Sequence, residues 1–176
     1  MEDRTQTRHG AGMTRWAGVA LTLVTLAAFA LRLARLGDLG DLEFDEIVSL
    51  RYAMLAPGDL VARLAGALFE HPPGYYVSLG AWLALAEPGI RGDTDGVVIR
   101  SLSILPGTLM VPVTYGLAHH AYGRGVALWS AIAVAIAPLP LFYSREARMY
   151  AATATVALLA TWVLFRAADG GWTRRR

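Results

Sequence analysis

Two adjacent carboxylates, Asp45 and Glu46, open a short amphipathic segment that follows the first long apolar run. A helix N-terminus stabilises nearby carboxylates as anions. One member of the pair can then accept a proton while the other orients a cation or a second hydroxyl group. Because Asp is also a common helix cap, the pair alone leaves two interpretations open, a proton acceptor and a plain cap in a solvated loop.

A second cluster, EHPPGYY, brings a carboxylate, an imidazole and two phenols together over residues 70–76. His71 can hydrogen-bond a phosphate, or it can bind a metal together with a carboxylate such as Glu70. The same residues also suit an interfacial belt of aromatic side chains followed by a helix that begins with proline. Both interpretations remain open.

A third cluster, YSREARMY, places Arg145, Glu146 and Arg148 between two apolar runs. A charge at membrane depth costs at least about 2.5–3.5 kcal/mol, so charged residues there usually pair or face a polar cavity. The spacing puts Arg145 and Arg148 on one helix face, and Glu146 with Tyr150 on another. The cluster is either an anion clamp for a phosphate group or an interfacial loop whose arginines reach toward water.

The composition is that of a membrane protein. Of the 176 residues, 55% are hydrophobic and 17% are charged, whereas about a quarter are charged in ordinary soluble domains. All sixteen basic residues are arginine and the net charge is only +2. No helix carries a clustered basic face, which argues against nucleic acid as a partner. The chain has no Cys, so disulfides and thiolate metal sites are excluded.

The first apolar run, residues 16–36, reaches about 31 Å as a helix and can cross a bilayer core. Residues 1–15 are polar and are predicted to form a cytoplasmic tail. Arg32 and Arg35 lie at the far end of the run and are expected to extend outward to the interface. A cleaved signal peptide is the competing interpretation, since the letters AFA at 28–30 resemble a cleavage site.

Residues 37–72 form the long polar connection, an external loop in which two short amphipathic helices are expected to lie on the membrane surface. Asp45 is expected to cap the first helix and Asp59 the second. Further apolar segments follow, and an Arg-rich tail covers 167–176. The sequence therefore predicts an all-α fold, a polytopic helical bundle over 16–166 whose later apolar segments are 74–86, 101–118, 126–142 and 151–165.

The number of membrane crossings decides which motifs meet. Segment 74–86 is apolar but only about 20 Å long, so it either crosses the membrane or is re-entrant. If it crosses, residues 144–150 lie on the cytoplasmic side, opposite Asp45. If it is re-entrant, residues 144–150 return to the side of Asp45 and the final arginines lie inside. The positive-inside rule favours the second arrangement.

Taken in order, the motifs FDEI around Asp45, EHPPGYY, Arg100-Ser101 and YSREARMYA resemble those of the membrane glycosyltransferases with the GT-C fold. The resemblance is to glycosyltransferase family 39, the dolichyl-phosphate-mannose protein mannosyltransferases, and to the bacterial aminoarabinose transferase-like relatives of that family. It covers about residues 16–166, nearly the whole chain.

The resemblance implies an inverting enzyme that moves a sugar from a polyprenyl phosphate donor to a glycan, lipid or protein acceptor on the extracytoplasmic face of the cell membrane. It implies that Asp45 is the general base on the acceptor hydroxyl and that Glu46 is the second member of that pair. Some relatives use a divalent metal cation, for which Glu70 and His71 are the implied ligands. The implied donor-phosphate site consists of His71, Arg145, Glu146, Arg148 and Tyr150.

Members of that family are usually longer than this chain. The resemblance therefore implies the N-terminal portion of a longer enzyme, or a subunit that needs a partner. The alternative comes from a different class, a non-catalytic helical bundle that is an inactive remnant or a transporter-like protein. That alternative predicts that polyprenyl phosphates do not bind.

Overall fold

A computed structural model describes residues 3–34, 36–66, 73–86 and 96–172, and every regular element within these ranges is helical. The predicted all-α bundle is thereby confirmed. A 3-10 turn at Leu36–Leu39 follows the first helix. In chain order the helices are α1 (Asp3–Leu33), α2 (Phe44–Ala53), α3 (Pro57–Gly66), α4 (Pro73–Ala86), α5 (Gly96–Tyr122), α6 (Arg124–Ile136), α7 (Pro138–Tyr143) and α8 (Tyr150–Trp172).

Among the described residues, three helices are long and apolar enough to cross a bilayer, namely Trp16–Leu33 of α1, the whole of α5 and Tyr150–Asp169 of α8. Large apolar side chains of α1 and α8 point away from the bundle, among them Leu23 and Val163. An apolar surface of this extent marks a surface that lipid covers.

The predicted segment at 126–142 is two helices rather than one. α6 ends at Ile136, Ala137 has an extended backbone, and α7 begins at Pro138. The break falls at Ala137 because a residue that precedes proline is disfavoured in the helical conformation.

The starts of the two short helices also differ from the sequence prediction. Glu43, not Asp45, is the N-cap of α2, and it forms a reciprocal capping box with Glu46. Asp45 lies in the first turn of the helix. Helix α3 begins at Pro57 rather than being capped by Asp59, because proline has the backbone angle of a first helical residue and needs no donor there.

Helices α1, α5 and α6 pack against one another through small and β-branched side chains. Their shared core consists of Ala28, Val111, Ala131 and Ala135. Small residues let helix backbones approach closely, and such packing is a main source of helix association in membranes.

A second core closes one end of the bundle. Helices α2, α3 and α4 pack there on the first turns of α5 and on the segment that joins α7 to α8. The two short helices of the polar connection therefore pack against the bundle through their buried faces. The buried members of this core are Leu60, Leu64, Tyr75, Tyr76, Leu79, Ile99, Ala147 and Met149.

Helix α4 stays at this end of the bundle. It has 14 residues, and Trp82 Nε1 donates to the carbonyl of Val98, in the first turn of α5, at 3.1 Å. The segment after α7 reaches the same place, since the backbone N–H of Ala147 donates to Glu46. Residues 144–150 and the acidic pair therefore lie at one end, as expected if α4 does not cross.

Single cysteines can test this arrangement, because the chain has no Cys of its own. We expect Asp41→Cys and Phe142→Cys, both at exposed positions, to react with an impermeant maleimide from the same side of the membrane. Tyr122→Cys, at the far end of α5, should react from the other side. Reaction of the first two variants from opposite sides would contradict the arrangement.

Candidate active site

The carboxylate of Glu46 is buried in an ion pair with Arg100. The side chain of Glu46 is only 2% exposed. The Nε and Nη2 atoms of Arg100 donate to its two oxygens at 2.9 and 2.7 Å. The backbone N–H groups of Ala147 and Glu43 donate to the same oxygens at 2.9 and 3.1 Å. Four donors thus hold one carboxylate, and the pair joins α2, α5 and the segment after α7.

These bonds keep Glu46 ionised. Burial alone would raise the pKa of Glu46, but the hydrogen bonds from Arg100, Ala147 and Glu43 outweigh burial and hold that pKa below its usual range. A carboxylate with a lowered pKa and no free oxygen is a poor proton acceptor. The geometry suits Glu46 to positioning.

Arg100 also fixes the chain that leads into α2. Its Nη1 and Nη2 atoms donate to the backbone carbonyls of Gly40 and Asp41 at 3.1 Å each. Gly40 has φ +69°, a conformation that glycine adopts without strain. The loop that precedes the acidic pair is therefore fixed by hydrogen bonds that its backbone carbonyls accept from Arg100.

Asp45 points away from that buried pair and toward Arg148. Its Oδ2 accepts a hydrogen bond from Arg148 Nη1 at 2.5 Å, and the two side chains are 51% and 19% exposed. The Arg148 guanidinium also lies over the ring of Tyr150, 4.6 Å from its centre. The site thus presents an accessible carboxylate and an accessible guanidinium in direct contact, together with an aromatic ring.

The segment that carries Arg148 is irregular. Residues 144–149 form turns between α7 and α8, so the predicted helix face shared by Arg145 and Arg148 is wrong. Pro140 in α7 and the packing of Ala147 in the core set the path of this segment. Arg145 Nη2 donates to the carbonyl of Leu31 at the end of α1, whereas Arg148 turns to Asp45.

Arg32 is buried beneath this segment, so the prediction that it extends to the outer interface is wrong. Its side chain is completely shielded from solvent. Nε donates to Ser144 Oγ at 3.1 Å, and Nη1 donates to the carbonyls of Ala28 and Ala135 at 3.0 and 3.4 Å. Polar partners inside the bundle favour this position over the lipid interface. Arg32 thus ties α1 to α6 and to the segment after α7.

Gly107 of α5 makes room for this contact, and Gly107→Ala is expected to destabilise the protein. A Cβ atom at this position would lie 2.6 Å from Ser144 Cβ and 3.3 Å from Arg32 Nε, and overpacking of this kind costs about 1–3 kcal/mol. Thermal unfolding in detergent measures the loss. Gly18→Ala is the control, since nothing lies within 4 Å of its new Cβ; an equal loss in both variants would contradict the close contact.

Two tyrosines line the buried side of the site. Tyr75 and Tyr76 are buried, the Tyr75 hydroxyl bonds Ser103 Oγ at 3.2 Å, and Ser103 Oγ donates to the carbonyl of Arg148 at 3.3 Å. Burial raises the pKa of Tyr75 further above its usual range and that of Tyr76 to about 12. Both phenols stay protonated near neutral pH, and they support Arg148 rather than exchange protons.

Two cavities flank the segment that carries Arg148. An open apolar groove of about 690 Å³ runs between α4, α5 and α8, and it follows α8 from Met149 to Ala160. A smaller cavity of about 360 Å³, with a mostly apolar lining, lies between the 3-10 turn, α7 and residues 145–146. Met149, the residue after Arg148, lines the groove.

Four of the predicted site residues thus meet at this end, and two others are not placed. Asp45, Glu46, Arg148 and Tyr150 lie together, whereas Glu70 and His71 fall outside the described residues. Arg145 and Glu146 line the smaller cavity. The described residues contain no group of three His, Cys, Asp or Glu side chains that could hold a metal ion, and metal binding by Glu70 and His71 stays a prediction.

Arg32, Arg100 and Glu43 also shape the site, although the sequence did not indicate a role in it for any of them. An arginine at the end of an apolar run normally extends toward water, so neither arginine was expected to be buried. The partner of Arg100 was not evident either, because Glu46 and Arg100 are separated by 54 residues.

The fold and this site define a helical membrane protein with an acidic and basic centre at one end of the bundle. The family model described as dolichyl-phosphate-mannose-protein mannosyltransferase matches residues 70–175. The chain therefore belongs to this family of membrane glycosyltransferases. No curated protein and no solved structure matches it. The matched range includes Arg100 and Arg148 but begins after the acidic pair. The contacts of Arg100 with Glu46 and of Arg148 with Asp45 join that pair to it.

Proposed function

We propose that this protein transfers a sugar from a polyprenyl phosphate donor to an acceptor hydroxyl, with Asp45 as the general base. The observation that carries the proposal is the contact between the exposed carboxylate of Asp45 and the guanidinium of Arg148, next to an open apolar groove. A lipid phosphate needs both a cationic group for its head and an apolar path for its chain.

Arg148 is suited to the donor phosphate. A guanidinium binds phosphate oxygens through paired donors, and Arg148 is partly accessible and oriented by Tyr150. When the phosphate takes the place of the Asp45 carboxylate on Arg148, that carboxylate is released. Donor binding thereby prepares the base.

The reaction is then a single displacement. The acceptor oxygen attacks the anomeric carbon of the sugar, its proton passes to Asp45, and the bond from that carbon to the phosphate oxygen breaks. The phosphate leaves with the electron pair, and Arg148 stabilises its charge. One displacement inverts the configuration at the anomeric carbon.

The buried pair of Glu46 and Arg100 positions the base. Glu46 is the neighbour of Asp45 on the first turn of α2, and its four hydrogen bonds hold that turn against α5 and Ala147. The carboxylate of Asp45 is thereby held against Arg148. Positioning of this kind accounts for a large part of enzymatic rate enhancement.

The site is proposed to face the extracytoplasmic side of the cell membrane. The N-terminal arginines favour a cytoplasmic tail, and α1 then carries the chain across, so the end that holds Asp45 lies outside. The acceptor is a hydroxyl of a glycan, lipid or protein on that side.

Filling the groove tests the donor class. Ala157 lines the groove, whereas Ala154 is exposed on the same helix and does not line it. We expect Ala157→Trp to weaken binding of dolichyl phosphate mannose at least about tenfold, because the indole occupies the path of the isoprenoid chain. Ala154→Trp should bind as the unchanged protein does. Native mass spectrometry in detergent measures both, and equal affinities would contradict the assignment of the groove.

A further inference from the structure

The two short helices of the polar connection, α2 and α3, enclose a recess that the proposed reaction does not use. The volume of the recess is about 460 Å³, within the range of about 300–1,000 Å³ that is typical of small-molecule sites. Its lining combines three charged side chains with a tyrosine and two apolar residues, and consists of Val48, Arg51, Tyr52, Leu55, Asp59 and Arg63. A lining of this composition suits an amphipathic ligand.

Two guanidinium groups lie at the recess. Arg51 belongs to the last turn of α2 and Arg63 to the last turn of α3, and both side chains are exposed. In the part of the chain that the structure describes, the arginines that form ion pairs are Arg100 and Arg148. The donors of Arg51 and Arg63 are therefore available to a ligand. Together with Asp59, the two arginines give the recess one positive charge in excess.

A phosphodiester matches this excess charge. It carries one negative charge, and guanidinium groups bind phosphate oxygens through paired donors. A phosphate monoester carries almost two negative charges at neutral pH, and Asp59 opposes the second of them. An ammonium group is repelled by Arg51 and Arg63. The charges of the recess therefore favour a ligand with a single negative charge.

Exposed apolar side chains accompany these charges on the same short helices. Met54 and Val61 are 62% and 51% exposed. Helices α2 and α3 pack at the end of the bundle where the membrane helices α5 and α8 begin. Short helices that expose apolar side chains beside arginines are typical of the boundary between lipid headgroups and acyl chains. A ligand in the recess thus has apolar surface next to it.

We propose that the recess binds the headgroup of an anionic phospholipid of the surrounding bilayer, with Arg51 and Arg63 on the oxygens of its phosphodiester. The lipid is a bound partner and not a substrate, so the inference goes beyond the proposed function and does not depend on it. Because the two arginines belong to different helices, the bound phosphate joins α2, which carries Asp45, to α3.

Lipid binding by the detergent-solubilised protein tests the proposal. Native mass spectrometry measures the affinities for phosphatidylglycerol, phosphatidylcholine and phosphatidylethanolamine, each added alone. We expect phosphatidylglycerol to bind at least about tenfold more tightly than either zwitterionic lipid, because each arginine near a headgroup contributes a factor of about five for an anionic lipid. Equal affinities for the three lipids, or no binding of phosphatidylglycerol, would overturn the proposal.

Two double variants with the same change of charge show where the lipid binds. Arg51→Gln, Arg63→Gln is expected to weaken binding of phosphatidylglycerol at least about tenfold. Arg124→Gln, Arg166→Gln changes two exposed arginines at the opposite end of the bundle and should leave the affinity unchanged. An equal loss in both variants would reveal only a general attraction between arginines and anionic lipid. That result, or no loss in the first variant, would overturn the proposal.

A single cysteine locates the headgroup and separates a lipid from a free phosphate ion. Leu55→Cys lies in the recess, Asp41→Cys is an exposed control, and the chain has no Cys of its own. We expect phosphatidylglycerol to slow the reaction of Leu55→Cys with N-ethylmaleimide severalfold and to leave Asp41→Cys unchanged. Millimolar inorganic phosphate should slow neither reaction. Protection of Leu55→Cys by inorganic phosphate, or no protection by the lipid, would contradict a lipid in the recess.

Discussion

Asp45→Asn is expected to reduce the rate of sugar transfer by a factor of about 10² to 10⁴, which is the usual contribution of a general base. The amide has nearly the shape of the carboxylate, but it cannot accept the proton of the acceptor hydroxyl. Binding of dolichyl phosphate mannose should be unchanged or tighter, because Arg148 no longer has a carboxylate to release. Transfer of labelled mannose to membrane acceptors, measured beside donor binding, separates the two effects.

Asp41→Asn is the matched control for this change. Asp41 is an exposed carboxylate in the loop that leads into α2. Its backbone carbonyl, not its side chain, accepts a hydrogen bond from Arg100. We expect the transfer rate of Asp41→Asn to stay within about twofold of the transfer rate of the unchanged protein. A transfer rate for Asp45→Asn equal to that of Asp41→Asn would remove Asp45 from the reaction, and weaker donor binding in Asp45→Asn would contradict the exchange at Arg148.

Arg100→Met is expected to destabilise the protein by about 3–5 kcal/mol, the usual cost of leaving one member of a buried ion pair without its partner. The double variant Glu46→Met, Arg100→Met should be less destabilised than Arg100→Met, because no buried charge remains. Arg51→Met, at an exposed position of α2, should unfold at nearly the normal temperature. Thermal unfolding in detergent compares all three, and a double variant at least as destabilised as Arg100→Met would contradict a direct pair.

The pH dependence of stability has a definite sign at this pair. The pKa of Glu46 in the folded protein lies below its usual value. The pair therefore contributes its full stabilisation above the ordinary pKa of a glutamate, about 4.3, and the contribution is lost as the pH falls through the lowered value. In Arg100→Met this acid-side loss should shrink or reverse, because burial, which raises the pKa of Glu46, then acts without the partner that lowers it most.

Long apolar runs made the main elements predictable from the sequence. The central apolar segments of α1, α5 and α8 follow from length and hydropathy alone. The meeting of residues 144–150 with the acidic pair could also be anticipated, because counting crossings leaves two arrangements and only one of them brings these motifs together. The division between α6 and α7 was signalled by Pro138, which disfavours a helical Ala137.

The partners inside the site could not be read from the sequence in the same way. Glu46 has its own capping role and a neighbour, Asp45, of identical charge, so nothing local shows which of the two is buried. The answer depends on Arg100, which lies in another helix. Arg32 gave the opposite signal, because an arginine at the end of an apolar run normally extends toward water. Two of its partners, Ser144 and the carbonyl of Ala135, come from distant parts of the chain.

The configuration of the product tests the central claim most directly, since the single displacement proposed for Asp45 and the leaving phosphate inverts the anomeric carbon. The protein is given a donor whose mannose is β-linked to dolichyl phosphate, and the linkage in the product is determined by nuclear magnetic resonance. We predict an α-linked product from the protein that contains Asp45. A β-linked product, which requires two displacements, or the absence of any transfer from this donor, would contradict the account.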